Sequence, residues 1–185
     1  MRAVSLGLCT DLQGVDYSKL HDVARLPTTK AVGMAMIAAG LVYNTKVFKA
    51  NGWPAPTSWN DLKDPKFKGK VVMPPLNNGY GLLAVVMLAR LHGGGEKNID
   101  PGFKVMKESV GPNSLAYEAS PAKQAELLQT EQVVFGVWGS ARVQPLAEAG
   151  VPVDFVYPAE GAPAVMPAIC TVNKKTVSPK AHALL

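Results

Sequence analysis

The sequence contains few of the residues and runs that mark metal-binding, membrane or well-known catalytic proteins. Two cysteines and three histidines are scattered over 185 residues, and their spacing matches no zinc site. The longest apolar run, residues 32–43, has 12 residues, whereas a membrane-spanning helix needs about 20. Motifs such as G-x-S-x-G, the P-loop and H-E-x-x-H are missing. We therefore expect no metal, no cofactor and no active site of these classes.

The composition is that of an ordinary globular protein of one domain, or one and a half. Hydrophobic residues make up 48% and charged residues 18% of the chain. The net charge is +5, but the basic residues are spread out, and the densest group, Lys66, Lys68 and Lys70, flanks a predicted turn. Nucleic-acid binding is not expected, because neither interleaved aromatic residues nor a basic helical stripe accompanies that group.

The tract from Gly40 to Pro75 predicts a strand, a short helix, a single helical turn and a second strand. Asn44 or Thr45 can cap the short helix, which should end at Gly52. Ser58 can cap the single turn that carries Trp59 and Leu62. The same tract closely resembles the "YNT … G … P-x-S/T-W-x-D-L … GK" signature of solute-binding proteins of ABC importers. The resemblance is to the extracytoplasmic type with two lobes, near the polyamine and iron binders.

Downstream of Gly40 to Pro75, predicted strands alternate with predicted helices, which indicates an α/β fold. The predicted strands are Val71–Pro74, Leu115–Glu118, Val133–Trp138 and Val153–Tyr157; the predicted helices are Leu82–His92, one from Asp100, one from Ser120, and Ser140–Ala149. The resemblance implies one lobe of a type II periplasmic binding protein, with a mixed central sheet flanked by helices.

Three strand-to-helix turns are candidates for the binding site, because ligands in such sheets lie beyond the carboxyl ends of strands, at helix N-termini. The candidate residues are Asn77, Asn78, Tyr80, Tyr117, Ser120, Trp138, Ser140 and Arg142. Structural roles stay open for several of them: Ser120 can be only a helix cap, Tyr117 can belong to the core, and Arg142 can face solvent. Trp138, followed by Gly-Ser at a strand end, is predicted to lie at the centre of the site.

The stretch from Val137 to Pro167 resembles the matching segment of polyamine binders, in which the tryptophan stacks on the ligand. That role is carried over to Trp138. The acids of polyamine binders are absent here: Asn77 and Asn78 stand at one such place, and Val165 and Pro167 follow the P-x-E-G motif. A buried ammonium group without an acidic partner is costly. A neutral or anionic solute is therefore expected instead of a polyamine.

Family topology divides the chain into three parts. Residues 1–31 resemble a flank of the first lobe and the hinge, residues 32–160 the second lobe, and residues 161–185 a hinge crossing and the return to the first lobe. The chain is thus expected to be a fragment that lacks most of the first lobe and holds one wall of an interlobe cleft. A capped helix is expected to begin at Ser178, and an exposed cleft wall favours self-association.

The cysteines, Cys9 and Cys170, lie near opposite ends of the chain. They could form a disulfide that closes a long loop, as suits an exported protein. Two buried thiols are the alternative.

Three classes of function remain, led by the substrate-binding component of an ABC importer. The resemblance implies a small-molecule solute, a membrane permease as partner and a periplasmic location. The alternative is the effector domain of a transcription regulator with the same fold, although no helix-turn-helix is found in the sequence. An enzyme on this scaffold, like porphobilinogen deaminase, would need a reactive cysteine in a cofactor loop, so an enzyme is not expected.

Overall fold

The computed structural model describes residues 2–174, 178 and 180 and divides the chain into two compact units. Unit 1 comprises residues 1–36 and 166–185, and unit 2 comprises residues 37–165. The helix predicted from Ser178 lies largely outside the described residues.

Ten strands and seven α-helices are found among the described residues. The strands are β1 Cys9–Thr10, β2 Val32–Gly33, β3 Ile37–Asn44, β4 Val71–Met73, β5 Ser114–Tyr117, β6 Phe135–Gly139, β7 Val153–Val156, β8 Ala164–Val165, β9 Ala168–Ile169 and β10 Thr171–Val172. The helices are α1 Arg2–Ser5, α2 Thr45–Ala50, α3 Gly79–Leu91, α4 Asp100–Val105, α5 Gly111–Asn113, α6 Pro121–Gln129 and α7 Ser140–Glu148, with 3-10 turns at Tyr17–Lys19, Asp22–Ala24, Trp59–Lys63 and Pro65–Phe67 and a π-helical turn at Met106–Val110.

Unit 2 is built on a six-stranded mixed sheet in the order β5-β4-β6-β3-β7, with β8 also paired to β3. Strand β4 runs parallel to β5 and β6, while β3 runs antiparallel to β6, β7 and β8. This arrangement confirms the predicted α/β fold with a mixed central sheet.

An apolar cluster covers each face of the sheet. Side chains alternate along a strand, so neighbouring residues contribute to opposite faces. On β3, Leu41 packs into one apolar cluster and Val42 into the other. The first cluster contains the rings of Phe48, Phe67 and Phe135, with centroids 5.5 Å apart for Phe48 and Phe67 and 4.9 Å apart for Phe67 and Phe135. Burying one such side chain contributes about 1.5–3 kcal/mol, so the two clusters hold the sheet and helices together.

Polar side chains fix the ends of the short elements that the sequence predicts. The Asn44 side chain accepts a hydrogen bond from the Val47 amide at 3.0 Å and caps α2. The same fully buried side chain donates to the Leu128 carbonyl at 3.1 Å. Ser58 and Asp61 form a capping box at the 3-10 turn that carries Trp59.

Unit 1 consists of two short antiparallel ladders, β1 with β10 and β2 with β9. Cys9 and Cys170 form a disulfide, with Cα atoms 5.8 Å apart. The Tyr17 hydroxyl donates to the Thr29 carbonyl at 3.0 Å and ties the first 3-10 turn to the bend before β2. The disulfide therefore joins the two distant segments of chain that make up this unit.

Candidate ligand-binding edge of the sheet

The carboxyl ends of four strands meet at one edge of the unit 2 sheet. Strands β4, β5 and β6 are parallel, and β7 is parallel to β6 because both run antiparallel to β3. Helices α3, α6 and α7 begin directly after β4, β5 and β6, at residues 79, 121 and 140. Three helix N-termini, each with free backbone N–H groups, thus lie at the same edge.

Helix α3 begins with a side-chain cap and a close approach of two backbone segments. The Asn78 side chain accepts a hydrogen bond from the Tyr80 amide at 2.9 Å. A Cβ atom at Gly81 would lie within 2.5 Å of the carbonyl oxygens of Pro74 and Pro75, so only glycine fits there. Asn77 is exposed beside this cap. Asn78 is therefore occupied as a cap, whereas the Asn77 amide faces solvent at the edge.

Tyr80 connects the turn before α3 to the turn before α7. Its phenol ring lies over Gly139, where a Cβ atom would be 2.3 Å from the hydroxyl oxygen of Tyr80. The ring is half-buried and packs against both apolar clusters. Gly139 is thus required for this approach, and the contact brings the Tyr80 turn beside the start of α7.

Helix α6 begins at a turn whose polar groups bond to one another. The Ser120 hydroxyl accepts from the Lys123 amide at 3.4 Å, and the Ser120 amide donates to a carboxylate oxygen of Glu118 at 2.7 Å. The buried side chain of Gln124 donates to the Val137 carbonyl at 2.9 Å. Ser120 therefore acts as a cap, and Gln124 fixes the start of α6 against β6.

Helix α7 differs from α3 and α6 because no side chain caps it. Its N-cap residue is Gly139. Ser140 is half-buried at the first helical position, and Arg142 is exposed two residues further on, within the first turn. Within the described residues, Arg142 forms no ion pair. The first-turn N–H groups and a guanidinium group are thus both available at this end of α7.

Trp138 lies in the core and not at the centre of an exposed surface. It is only 3% exposed and packs with Val42, Val72 and Val143 in the second apolar cluster. The side chain at this position of β6 points to the face that α6 and α7 cover, which is a core environment, and its stacking on a ligand stays a prediction. In this conformation the ring has no free face on which a ligand could stack.

Two further predicted residues line separate cavities. Tyr117 is 54% exposed and lines a mostly apolar cavity of about 560 Å³ together with Leu76, Phe103 and Lys107. Ser140 lines a cavity of about 210 Å³ on the other side of the sheet. The predicted residues therefore share an edge but not a cavity. Leu76, Phe103 and Lys107 were not expected there, since the sequence does not reveal that β5 pairs with β4.

The residues that carry the sequence resemblance bind to one another across about 100 positions. The Glu160 carboxylate accepts hydrogen bonds from the Ser58 hydroxyl and from the Trp59 amide, the latter at 3.4 Å. The Trp59 indole N–H donates to the Gly161 carbonyl at 2.9 Å, and the Ala159 amide donates to the Thr57 carbonyl at 2.8 Å. These signature residues therefore hold the chain after β7 against the 3-10 turn, which is a structural role.

Among residues 2–174, 178 and 180, no group of three or more histidine, cysteine, aspartate or glutamate side chains is arranged to hold a metal ion. In the same part of the chain, every helix is too short or too polar to cross a membrane.

Sequence comparison assigns the family. A family profile described as bacterial extracellular solute-binding protein matches residues 1–185. The chain belongs to this family. This family is one of solute-binding proteins and not of enzymes. The finding confirms the expected solute-binding family and agrees with the expectation that the chain is not an enzyme. A search of curated protein sequences finds no match.

Solved structures share the fold at low sequence identity. The periplasmic binding protein AfuA from Actinobacillus pleuropneumoniae, with exogenous fructose-6-phosphate bound, has a TM-score of 0.77 and 23% identity over 98% of this chain and 57% of its own. An ABC transporter protein from Clostridium perfringens ATCC 13124 has a TM-score of 0.74 and 21% identity, with the same coverage. A two-component system protein described as mediating signal transduction has a TM-score of 0.75 and 17% identity over 96% of this chain and 56% of its own. The chain spans a little over half the length of these proteins.

Proposed function

We propose that this chain is the substrate-binding component of an ABC transporter, which captures a small polar solute in the periplasm and delivers it to a membrane permease. Membership of the extracellular solute-binding family supports this role. The likeness to spermidine/putrescine binders, the second-lobe assignment of residues 32–160 and the status of the chain as a fragment are part of the same proposal. We also propose that the chain self-associates, because Leu76, Leu82 and Tyr117 are each about half exposed and such apolar surface favours association.

A neutral or anionic solute is favoured over a polyamine by the start of α7. Its first turn has no side-chain cap, and Arg142 is exposed beside it. A helix N-terminus carries a partial positive charge, which attracts anions and repels ammonium groups. Glu118, in the turn before α6, already accepts a hydrogen bond from the Ser120 amide, and Asp154 lines the same cavity as Ser140. The uncapped N-terminus of α7 is the observation that carries this proposal.

The choice of first probe follows from a protein of the same fold. AfuA is described with fructose-6-phosphate bound, and a sugar phosphate is a small polar anion of the kind that a helix N-terminus binds. Fructose-6-phosphate and inorganic phosphate are therefore the anionic probes, and spermidine is the cationic one.

Isothermal titration of the chain and two variants with these probes tests the role of α7. Ser140→Pro removes the first N–H of the helix and the hydroxyl, yet proline is well tolerated at a first helical position. The extended backbone of Gly139, with ψ of 139°, suits a residue before proline. Ser140→Ala removes the hydroxyl alone. We expect anion affinity to fall about tenfold or more in Ser140→Pro, since a hydrogen bond to a charged group contributes about 1.5–3 kcal/mol.

The two variants separate the backbone from the side chain. Anion binding that is equally weak in Ser140→Ala and Ser140→Pro would assign the contact to the hydroxyl. Unchanged binding in both would remove α7 from the site. Spermidine that binds more tightly than every anion would refute the proposed solute class, while binding of no probe would leave the family role intact and overturn the choice of sugar phosphates.

The regulatory alternative has one observation in its favour, the similar fold of the two-component system protein. It predicts that ligand binding changes the affinity for a signalling partner instead of a permease. Co-purification with membranes that contain the cognate permease, against membranes that lack it, distinguishes the two roles.

A further inference from the structure

Three thioether groups and one imidazole line a single cavity in unit 1. The cavity has a volume of about 180 Å³, and its four sulfur- or nitrogen-bearing side chains are His21, Met34, Met36 and Met166. The remaining lining residues are Val23, Ala24, Gly33 and Ala35, so no carboxylate and no charged side chain faces it within the described residues. All of these lining residues belong to unit 1.

The backbone of unit 1 holds these side chains together. The Met34 amide donates to the Pro167 carbonyl at 2.8 Å, next to Met166, and continues the β2–β9 ladder. A Cβ atom at Gly33 would lie 2.4 Å from the Met166 sulfur and 3.1 Å from the Ala24 Cα atom. The Met166 thioether and the Asp22–Ala24 turn therefore both pack on Gly33, and His21 is the residue that precedes this turn.

Met34 and Met36 are exposed, and the His21 ring has no partner in the described structure. Met34 is 66% exposed and Met36 is 54% exposed. The two methionines are separated by one residue, and both line the cavity. In residues 2–174, 178 and 180, the His21 ring forms no hydrogen bond and no ion pair. Nothing therefore competes for its imidazole nitrogens.

We propose that His21, Met34, Met36 and Met166 bind a soft monovalent cation, namely Cu(I). Thioether and imidazole ligands suit Cu(I). Because all four donors are neutral, the occupied site would carry a net charge of only +1. Zn²⁺ takes thiolate, imidazole and carboxylate ligands, so it should bind poorly. The spacing of the three histidines alone does not reveal this site, because three of its ligands are methionines. The site is independent of the proposed solute binding.

Nuclear magnetic resonance of the methionine methyl groups tests the ligand set directly. The untagged, disulfide-bonded chain, labelled with ¹³C at the methionine ε-methyl groups, is titrated with Ag(I), a redox-stable analogue of Cu(I). Because Cys9 and Cys170 are bonded to each other, no free thiol competes. We expect the resonances of Met34, Met36 and Met166 to shift at one equivalent, while those of the buried Met73 and Met87 stay in place. No shift, or equal shifts of all methionines, would overturn the proposal.

A pair of conservative variants supplies a matched control. In Met34→Leu/Met36→Leu two thioethers are lost while side-chain volume is nearly kept. Met106→Leu removes one thioether from unit 2, where Met106 packs in the first apolar cluster. Anaerobic competition with bicinchoninate should show Cu(I) affinity at least tenfold lower in the double variant and unchanged in Met106→Leu. Equal affinity in the wild type and the double variant would refute the site, whatever the outcome of the solute titrations.

Discussion

The six-stranded sheet of unit 2 and the two short ladders of unit 1 differ in how many apolar side chains they bury. The twelve largest fully buried side chains in the described structure, among them Trp59, Phe67 and Phe135, all belong to unit 2. The buried apolar residues of unit 1 are Cys9, Leu12, Ala31 and Val32. Because small cores rarely stabilise a fold alone, we expect the stability of unit 1 to depend on the Cys9–Cys170 disulfide. The stability of unit 2 should depend instead on its buried apolar side chains.

Hydrogen bonding shows the same contrast. The hydroxyl groups of Thr10 and Thr171, opposite each other in the β1–β10 ladder, are buried without a partner in the described structure. A buried polar group without a hydrogen bond costs about 1–3 kcal/mol. In unit 2, by contrast, the buried side chains of Asn44, Asn113 and Gln124 all donate to backbone carbonyls. The Cys9–Cys170 disulfide therefore stabilises a ladder that is poorly satisfied by itself.

Removing the buried indole of unit 2 should have the largest effect. Trp138→Ala deletes a side chain that is 3% exposed, and such truncations cost about 3–5 kcal/mol because a cavity remains. We expect the urea midpoint of the chain, followed by far-UV circular dichroism, to fall sharply. The disulfide of unit 1 should still form, as measured by thiol titration of the denatured protein.

Trp138→Phe is the matched control, because it keeps an aromatic ring in the same cluster. It should lose clearly less stability than Trp138→Ala. If Trp138→Ala kept the wild-type midpoint and lost only ligand affinity, the ring would not be a core residue and the original expectation of a stacking role would stand.

Local signals explain why the elements of unit 2 were predictable. The cap at Asn44, the capping box at Ser58 and the cap at Ser120 each depend on residues within three positions of each other. The strands and helices that follow were identified with boundaries within a few residues, although the helix predicted from Asp100 passes into a π-helical turn at Met106–Val110. Short-range chemistry was therefore enough for the elements and for the fold class.

The face of a side chain and the partner of a strand were less accessible from sequence. Trp138 ends an apolar run in which every residue is buried, so no alternation in polarity distinguished its two faces. The contact of Tyr80 with Gly139 joins segments about 60 positions apart, and its only sequence signal was the glycine itself. The helix starts at this edge of the sheet were thus predictable from sequence, while the burial of the Trp138 ring was not.

Removing the disulfide should have the second largest effect, confined to unit 1. In Cys9→Ser/Cys170→Ser the two segments of unit 1 are no longer bonded. The folded unit 2 shortens the loop that the bond closes, since Ile37 and Val165 pair directly. The loop-entropy model then gives a loss of about 3–4 kcal/mol.

Hydrogen exchange resolves where that loss occurs. The amides of the β1–β10 and β2–β9 ladders should lose protection in the double variant, while those of β3 and β6 should keep it. Reduction of the wild-type chain should reproduce the result. Equal loss of protection in both units would show that they unfold together, and the contrast between a covalent and a buried core would then be wrong.

Removing the hydrogen bonds between Glu160 and the Ser58–Trp59 turn should have the smallest of these effects. Like the disulfide of unit 1, they join distant segments of chain, but within unit 2 and without a covalent bond. Glu160 is exposed, so we expect Glu160→Gln to cost about 1 kcal/mol, the net value of an ordinary hydrogen bond. Ser58→Ala should cost a similar amount, since the hydroxyl also caps the Asn60 amide at 3.0 Å. Glu108→Gln, at another exposed acid of unit 2, is the control and should be neutral.

In a double-mutant cycle, groups in direct contact couple, and the double variant should lose less than the sum of the single losses. Purely additive losses would mean that Glu160 and Ser58 act separately, and that the chain after β7 is held by the burial of Trp59 and by the Trp59–Gly161 and Ala159–Thr57 hydrogen bonds.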